Sequence, residues 1–479
     1  MSSSVRFLLN GLEETAVAAP PDMTALRWLR LNARLTGTKE GCAEGDCGAC
    51  TVALAEPGED GLVWRAANAC ILLMGQLHGK LLVTVEGLAD GERLHPVQEA
   101  MIARHASQCG FCTPGFVMSL FAAYRNRTQP QSETIHDSIA GNLCRCTGYR
   151  PIVDAARDAL SGDGADRFSA LEPAILDALR AIARAPALVC ETPEGRYLAP
   201  RDKNELACAL AADPQARILA GGTDLALEAT KRHRRLPSLI AVSAVRELRR
   251  IEEDAHTLTL GAALPYEDLL ARLSALSPSL GVLLRRLGSA QIRALGTIGG
   301  NLANASPIGD TAPALIALEA RLRLESAAGA REIALEDFFT GYRKTALEPG
   351  EFIDSVRLRK PAADAFFDVE KISRRFDQDI SAVCGAIRFT LEAGRIQAPR
   401  VAFGGMAATI ARARRAETAL AGAPLSAETF EAAAQALSED FAPITDFRAS
   451  ADYRLRVARN LFAQWAEAAL ARTRAGEAP

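Results

Sequence analysis

Eight of the eleven cysteines in this 479-residue chain lie before residue 147, and they form two sets. Cys42, Cys47, Cys50 and Cys70 read C-x4-C-x2-C…C, the first three inside GCAEGDCGACTV. Cys109 and Cys112 sit in SQCGFCTPG, and Cys144 and Cys146 in GNLCRCTGYRP. Cys190, Cys208 and Cys384 are scattered and read as small apolar packing residues. The N-terminus MSSSVRFLLNG runs straight into a strand-like pattern, with no long apolar stretch before a cleavage site. No run of about 18 apolar residues exists, so a cytoplasmic chain without a membrane span is expected. Disulfides are rare in that compartment, and clustered thiols there bind metal or do redox chemistry. A net charge of −3 without a long basic run gives no support to nucleic-acid binding. The basic cluster Lys231 to Arg235 reads as a solvated helix end.

The spacing C-x4-C-x2-C with a distant fourth cysteine is that of a plant-type 2Fe–2S cluster. Such a cluster is anionic and needs backbone N–H groups aimed at its sulfurs. Gly41, Gly45 and Gly48 let the main chain bend closely around it. The flanks VRFLLNG and TVALA are strand-like and ALRWLRLN is helix-like, so a small α+β fold with a cluster loop on its rim is expected. Zinc is the competing ligand, but zinc loops favour paired C-x2-C knuckles.

In the second set, FVMSLFAAYRNR and SETIHDSIA have apolar residues at helical spacing. Pro114 suits a first helical turn. Each cysteine pair is therefore predicted at a helix start, where the dipole stabilises thiolates. C-x-C with C-x2-C points to another 2Fe–2S cluster.

The cysteine loop, QCGFCTPG and GNLCRCTGYRP, in this order, resemble the iron–sulfur region of the molybdenum hydroxylases, the xanthine dehydrogenase family. The resemblance covers about the first 160 residues. It implies an α+β multidomain chain. A plant-ferredoxin-like β-grasp domain would span 1–88 and a four-helix 2Fe–2S domain 89–162, each with one cluster. Cys42, Cys47, Cys50 and Cys70 would hold the first, and Cys109, Cys112, Cys144 and Cys146 the second. Gln108 matches the family's glutamine that approaches a partner's molybdopterin.

Residues 163–190 read as a partly helical tether without strand signal. Beyond it, RILAGGTDLALEATK reads as a strand, a Gly-Gly turn and a helix, and GTIGGNLANASPIGD as a second glycine-rich loop. Double glycines let backbone N–H groups converge into a phosphate-binding nest. Neither loop is a Rossmann G-x-G-x-x-G. Both resemble the FAD-binding domain of the same family, expected over 191–363 as an α+β fold of the CO-dehydrogenase-flavoprotein (PCMH) type. By that resemblance Ile218, Leu219, Ala220, Gly221, Gly222, Thr223, Asp224 and Leu225 would wrap the FAD pyrophosphate. Thr297, Ile298, Gly299, Gly300 and Asn301 would do so from the other side. Asp310 and Lys371 match FAD-contacting positions and Ile353 matches more weakly. Leu287 stands where relatives often have an aromatic beside the flavin. SRRFDQDIS (373–381) would lie near the NAD site.

Residues 364–479 are expected to form the family's α+β C-terminal domain. RIQAPRVAFGGMA (395–407) reads as strands with a turn, and the last helix has apolar residues at three and four, suited to packing on a sheet. Tyr453 and Arg454 are assigned structural roles.

No part of the chain resembles the family's molybdopterin domain. The resemblance therefore implies a molybdopterin-binding large subunit as partner, in an α2β2 assembly, which would carry hypoxanthine and xanthine oxidation and the catalytic glutamate. Electrons would pass through the helical-domain cluster, the ferredoxin-like cluster and FAD to NAD+. No side chain of this chain is assigned as catalytic. A related hydroxylase of aldehydes or N-heterocycles, and a non-enzymatic redox carrier or sensor, are the alternatives.

Overall fold

A computed structural model describes residues 4–475. Contacts divide the chain into two compact units, Met1–Val245 with Gly288–Gly296, and Arg246–Leu287 with Thr297–Pro479.

In the first unit, a five-stranded sheet runs in the order Glu13–Val17, Val5–Leu9, Leu81–Val83, Thr51–Pro57, Leu62–Asn68. Val5–Leu9 and Leu81–Val83 are parallel and the other pairs antiparallel. The helix Ala25–Leu31 is capped by Thr24, whose hydroxyl accepts from Arg27 N–H at 3.3 Å. Such a cap stabilises by about 1 kcal/mol. The helix buries Leu26, Trp28 and Leu29 with Phe7 from the sheet, and the Phe7 and Trp28 rings meet edge to face at 5.4 Å. This is the small α+β fold expected from the flanks of the cysteine loop, in the β-grasp arrangement that the resemblance implies.

Four helices follow, Pro96–Ala103, Thr113–Arg125, Ser132–Ile139 and Arg150–Leu160, around Phe116, Phe121, Ile135 and Ile152. The segment expected as a partly helical tether contains the helix Arg167–Arg184, and this helix is packed rather than free, burying Phe168, Ile175, Leu179 and Ile182. A buried ion network holds its start. Arg125 bridges Asp166 at 2.7 Å and Glu172 at 2.9 Å. His95 Nδ1 accepts from Val97 N–H, so the other ring nitrogen carries the proton and donates to Asp166 at 3.1 Å. Removing one partner of such a network leaves an uncompensated buried charge, costing about 3–5 kcal/mol. The strand Leu188–Thr192 also begins inside this segment, where no strand signal was legible. Its short apolar run becomes a strand by pairing with Gly195–Ala199. These two strands belong to a four-stranded sheet with Ser238–Ala241 and Arg217–Leu219.

The second unit holds an antiparallel sheet of Ile251–Glu253, Thr257–Gly261, Phe352–Arg359, Arg321–Ser326 and Gly329–Ala334, covered by helices that include Tyr266–Leu276, Pro278–Arg285 and Thr311–Ala317. A second sheet of Ala365–Ile372, Val383–Glu392, Arg395–Gly404 and Ala411–Arg412 packs against Ala427–Asp440 and Ala451–Arg474. The stretch read as strands with a turn is the strand Arg395–Gly404 and the start of the reversal, at Gly405 with positive φ, that leads to its antiparallel partner Ala411–Arg412. Another turn precedes it at Ala393 and Gly394, both at positive φ. The last helix buries Leu461, Phe462 and Trp465 against Phe403, as its spacing predicts. Arg454 is buried and donates to Gly405 O and Asp446, a structural role. Among the described residues, no helix is long and apolar enough to cross a membrane.

His78 supplies a pH-dependent element to the first unit. Arg6 N–H donates to its Nδ1 at 3.1 Å, which requires the unprotonated ring. Burial, then the charges of Arg6 and Arg201, push its pKa down to about 4. An unfolded histidine titrates near 6.5. Between those values the unfolded chain binds more protons, so stability is full above about pH 6.5 and falls as pH drops towards 4. Thermal unfolding across this range should show a falling midpoint, and His78→Gln should flatten the slope.

Candidate functional site

Residues 41–50 form an irregular loop between the helix Ala25–Leu31 and the strand Thr51–Pro57. The Asp46 and Cys47 N–H groups both donate to Cys42 Sγ at 3.3 Å, and Cys42 N–H donates to Cys47 Sγ at 3.4 Å. Cys50 and Cys70 are buried with sulfurs 3.2 Å apart. Hydrogen bonds from Cys47 and then Cys70 hold Cys42 far below the usual thiol range, and Cys70 does the same for Cys50. The same contacts, and then burial, raise Cys47 and Cys70. Gly48 sits at φ +69°, and a Cβ there would lie 2.1 Å from Gly141 O. Glycine is required at that position on both counts.

The second set lies on the helical part. Cys112 caps the helix Thr113–Arg125, with Pro114 in its first turn, as predicted. Cys144 and Cys146 do not sit at a helix start. They precede Arg150–Leu160, whose cap is Tyr149 at φ +68°. That backbone turns the ring back so that Tyr149 Oη accepts from Cys144 N–H at 2.8 Å. Local hydrogen bonds replace the helix dipole: burial opposes the Cys144 thiolate, but the Thr147 hydroxyl and N–H outweigh it. Cys112 is pushed up to about 12 by burial and then by Cys144. Cys109 is lowered by the Phe111 N–H and by the Cys146 thiol, which is raised in turn. The sulfurs therefore pair as Cys109 with Cys146 and Cys112 with Cys144.

Among the described residues, no three Cys, His, Asp or Glu side chains are placed to share one metal ion. A binuclear cluster asks for sulfurs in pairs, two to each iron, and both sets fit it. The two cysteine loops also touch: Leu143 N–H, beside Cys144, donates to Cys47 O at 3.0 Å. Gln108 is exposed next to Cys109.

The flavin candidates fall in both units. In the first, Gly221 and Gly222 are buried between the strand Arg217–Leu219 and the helix Ala226–Thr230. Gln76 donates to Ala220 O at 3.3 Å and Gly221 O at 3.0 Å. A Cβ on Gly221 would lie 1.8 Å from Leu295 O. Among the described residues, no protein acceptor meets the N–H groups of Gly221, Gly222, Thr223 or Asp224. This turn fits a pyrophosphate, whose oxygens would take those donors. Ile218, Ala220 and Leu225 border it with part of their surface exposed, while Leu219 is core.

In the second unit, the glycine-rich segment at 296–310 is not an open loop. Thr297 caps the short helix Ile298–Ala303. Ile298 N–H donates to Leu264 O, Gly299 to Ala262 O, Gly300 to Thr297 Oγ1 and Asn301 to Thr297 O. With those four donors engaged, the nest expectation does not hold here. What this segment offers a ligand is side chains. Asn301 Oδ1 accepts from the Thr311 hydroxyl at 3.2 Å. Lys371 is buried and donates to Asp310 at 2.7 Å and Arg286 O at 3.0 Å, while Ser381 donates to Asp310 at 2.5 Å. Leu287 and Ile353 belong to the core. In 373–381, Phe376 and Ile380 are exposed and Arg286 lies 4.7 Å over the Phe376 ring.

Sequence reasoning missed Gln76, Asn142, Tyr149 and Gln291, all of which bond to the cluster or flavin segments. The available signal was adjacency, since Gln76 and Asn142 each follow a glycine close to a cluster cysteine.

The two paired sulfur sets and the donor-rich glycine turn define an iron–sulfur flavoprotein. Family models agree: a 2Fe–2S iron–sulfur cluster binding domain at residues 7–74, a [2Fe–2S] binding domain at 84–157, an FAD binding domain in molybdopterin dehydrogenase at 192–361, and a CO dehydrogenase flavoprotein C-terminal domain at 369–469. The chain is 33% identical to a xanthine dehydrogenase of Drosophila subobscura over 91% of its own length and 37% of the relative's. It is 32% identical to a xanthine dehydrogenase/oxidase of Rattus norvegicus over 84% and 34%. It thus spans about a third of the length of these relatives. Among solved structures, a carbon monoxide dehydrogenase from Hydrogenophaga pseudoflava, lacking the Mo-pyranopterin moiety of its cofactor, matches with TM-score 0.55 and 31% identity, covering 59% of this chain and 99% of that one. A quinoline 2-oxidoreductase from Pseudomonas putida 86 matches with TM-score 0.54 and 29% identity, over 58% and 98%. The chain belongs to the molybdenum hydroxylase family, with that family's two 2Fe–2S domains and its FAD domain.

Iron analysis of the full chain should return about four irons, two per cluster. Cys50→Ser and Cys146→Ser should each remove or alter a different one of two 2Fe–2S EPR signals.

Proposed function

We propose that this chain is the iron–sulfur/FAD subunit of a cytoplasmic, NAD-dependent xanthine dehydrogenase (EC 1.17.1.4), working with a molybdopterin-bearing large subunit in an α2β2 assembly. The observation that carries the reading is the contact between the two cysteine loops within one unit that also bears the Gly221–Gly222 turn. When bound, the clusters would move electrons singly and FAD would deliver them as the hydride that NAD+ accepts.

The chain's own residues perform the holding. Cys42, Cys47, Cys50 and Cys70 would ligate one cluster, with Asp46 and Cys47 N–H groups aimed at sulfur. Cys109, Cys112, Cys144 and Cys146 would ligate the other, with Thr147 hydrogen-bonded to Cys144. The N–H groups of Gly221 to Asp224 would take the FAD pyrophosphate. The Lys371–Asp310 pair fixes the strand Ala365–Ile372 against the start of the helix Thr311–Ala317. Exposed Gln108 would face the partner's molybdopterin.

Hypoxanthine and xanthine as the partner's substrates are supported by identity to xanthine dehydrogenases along 91% of the chain, through all four domains. A second reading, an N-heterocycle or CO-oxidising hydroxylase, is favoured by the solved neighbours, which match 56–59% of the chain. Co-purification with its large subunit and assay with xanthine plus NAD+, against quinoline and CO, separates the two. NADH should bleach both clusters in FAD-loaded protein. A flavin-free chain whose clusters ignore NADH would refute the flavin-linked reading.

A further inference from the structure

Ser289–Gly296 leaves the chain order of its neighbours. The residues on either side, up to Leu287 and from Thr297, belong to the second unit, while the segment itself packs within the first. Every turn of it meets a different part of the cofactor-holding structure. Ile292 Cδ1 would lie 3.1 Å from a Cβ on Gly45, in the first cysteine loop. Arg293, fully buried, grips both oxygens of Asp137 at 2.9 and 3.0 Å, on the helix Ser132–Ile139. Leu295 O closes on Gly221 in the flavin turn.

Gln291 goes deepest. Its side chain is fully buried, and its amide N–H2 faces Asn142 Oδ1 at 3.0 Å, Ser119 Oγ at 3.1 Å and Thr51 Oγ1 at 3.2 Å. These three acceptors come from the second cysteine loop, the helix begun by Cys112, and the residue after Cys50. The direction of the bonds is forced. Gly48 O can only accept, so the Asn142 amide nitrogen must face it, at 3.0 Å. Asn142 Oδ1 then faces Ser119 and Gln291 and must accept from both. The Ser119 hydrogen is engaged there, and the Thr51 hydrogen on Gly48 O at 2.6 Å. Only an N–H2 from Gln291 can donate here, its two hydrogens shared among the three oxygens. Among the described residues its Oε1 has no partner, and it abuts Gly141, where a Cβ would come within 1.9 Å. A buried acceptor left unpaired costs free energy. That cost is tolerated at the one point where the two cysteine loops, already joined by Leu143 N–H and Cys47 O, meet a third segment.

We propose that Ser289–Gly296 is a strut that fixes the spacing of the two iron–sulfur clusters, with Gln291 as its positioning residue. This rests on the reading of the two cysteine sets as cluster sites. Among the described residues, no hydrogen bond joins Gln291 to a cluster ligand. It acts through Asn142 and Thr51, which flank them, and the same segment ties this seam to the flavin turn through Leu295.

The test uses the full chain with its large subunit and compares wild type with Gln291→Met, Gln291→Glu and Ser119→Ala. Hydrogen–deuterium exchange at Leu143 N–H should accelerate about five- to tenfold in Gln291→Met, the order of one lost hydrogen bond. It should accelerate more in Gln291→Glu, which turns carboxylate oxygen towards three acceptors. Amides of the helix Ala25–Leu31 should be unchanged. With iron content retained, the EPR line broadening from the magnetic interaction between the reduced clusters should change in the same order. A space-filling role predicts wild-type exchange and wild-type line shapes in both Gln291 variants, and that result overturns the proposal. If both variants fail to fold, Ser119→Ala decides: it leaves Gln291 in place and removes one donor to Asn142. Unchanged Leu143 exchange there overturns the strut, and a local rise of smaller size supports it. A wild type without 2Fe–2S signals would instead sink the cluster assignment, while amide exchange still reports on the seam.

Discussion

The hydrogen bond from Leu143 N–H to Cys47 O joins two loops that lie far apart in the chain. It runs from the neighbour of one proposed cluster ligand to the carbonyl of another. Around it, Asn142 bonds to Gly48 O and Thr51, and no side chain could stand at Gly48 or Gly115 without striking backbone. The β-grasp sheet and the four helices are two local folds, each with its own reasons to form. This close approach makes them a single cluster-bearing body. Proximity of redox centres is a property of a chain that cannot separate them, and backbone contact at glycine achieves that better than flexible side chains would.

The cysteines are arranged by the same logic. The four sulfurs of each set are drawn from two separate segments and would repel if all ionised, and hydrogen bonds between neighbouring sulfurs offset that repulsion. Backbone N–H groups aimed at sulfur make the thiolate form accessible before metal arrives. Binding then releases the remaining protons, so that metal loading and local order are coupled. The flavin turn works differently. It holds unengaged donors in place through contacts made to its carbonyls by Gln76, so the site is preorganised by residues that would not themselves touch a ligand.

Much of the site was legible because metal ligation and tight turns demand particular residue types. The eight cysteines, the glycines around them and Pro114 have few other uses at such spacings. The Gly221–Gly222 turn was legible for the same reason. The Gly299–Gly300 pair has an equivalent sequence pattern, yet its N–H groups are engaged by Ala262, Leu264 and Thr297. Nothing in GTIGGNL distinguishes a nest from the first turn of a helix, because that depends on which carbonyls arrive from Ala262 to Leu264. The helix within 163–190 was legible, but its Ala/Arg-rich composition gives little sign that Phe168, Ile175, Leu179 and Ile182 are buried.

The sequence by itself determined that the chain carries two sulfur sets of 2Fe–2S spacing, a ferredoxin-like and a helical element to present them, and a glycine turn beyond. Those features are local, since each is set by residue chemistry and by spacings of a few positions. Only the tertiary structure decided which sulfurs pair, which glycine turn keeps its donors free, and that Gln291 enters the seam between the two cysteine loops. Those outcomes depend on hydrogen-bond partners supplied by segments distant in sequence, and a one-dimensional pattern holds no record of which distant carbonyl or amide will be within 3 Å.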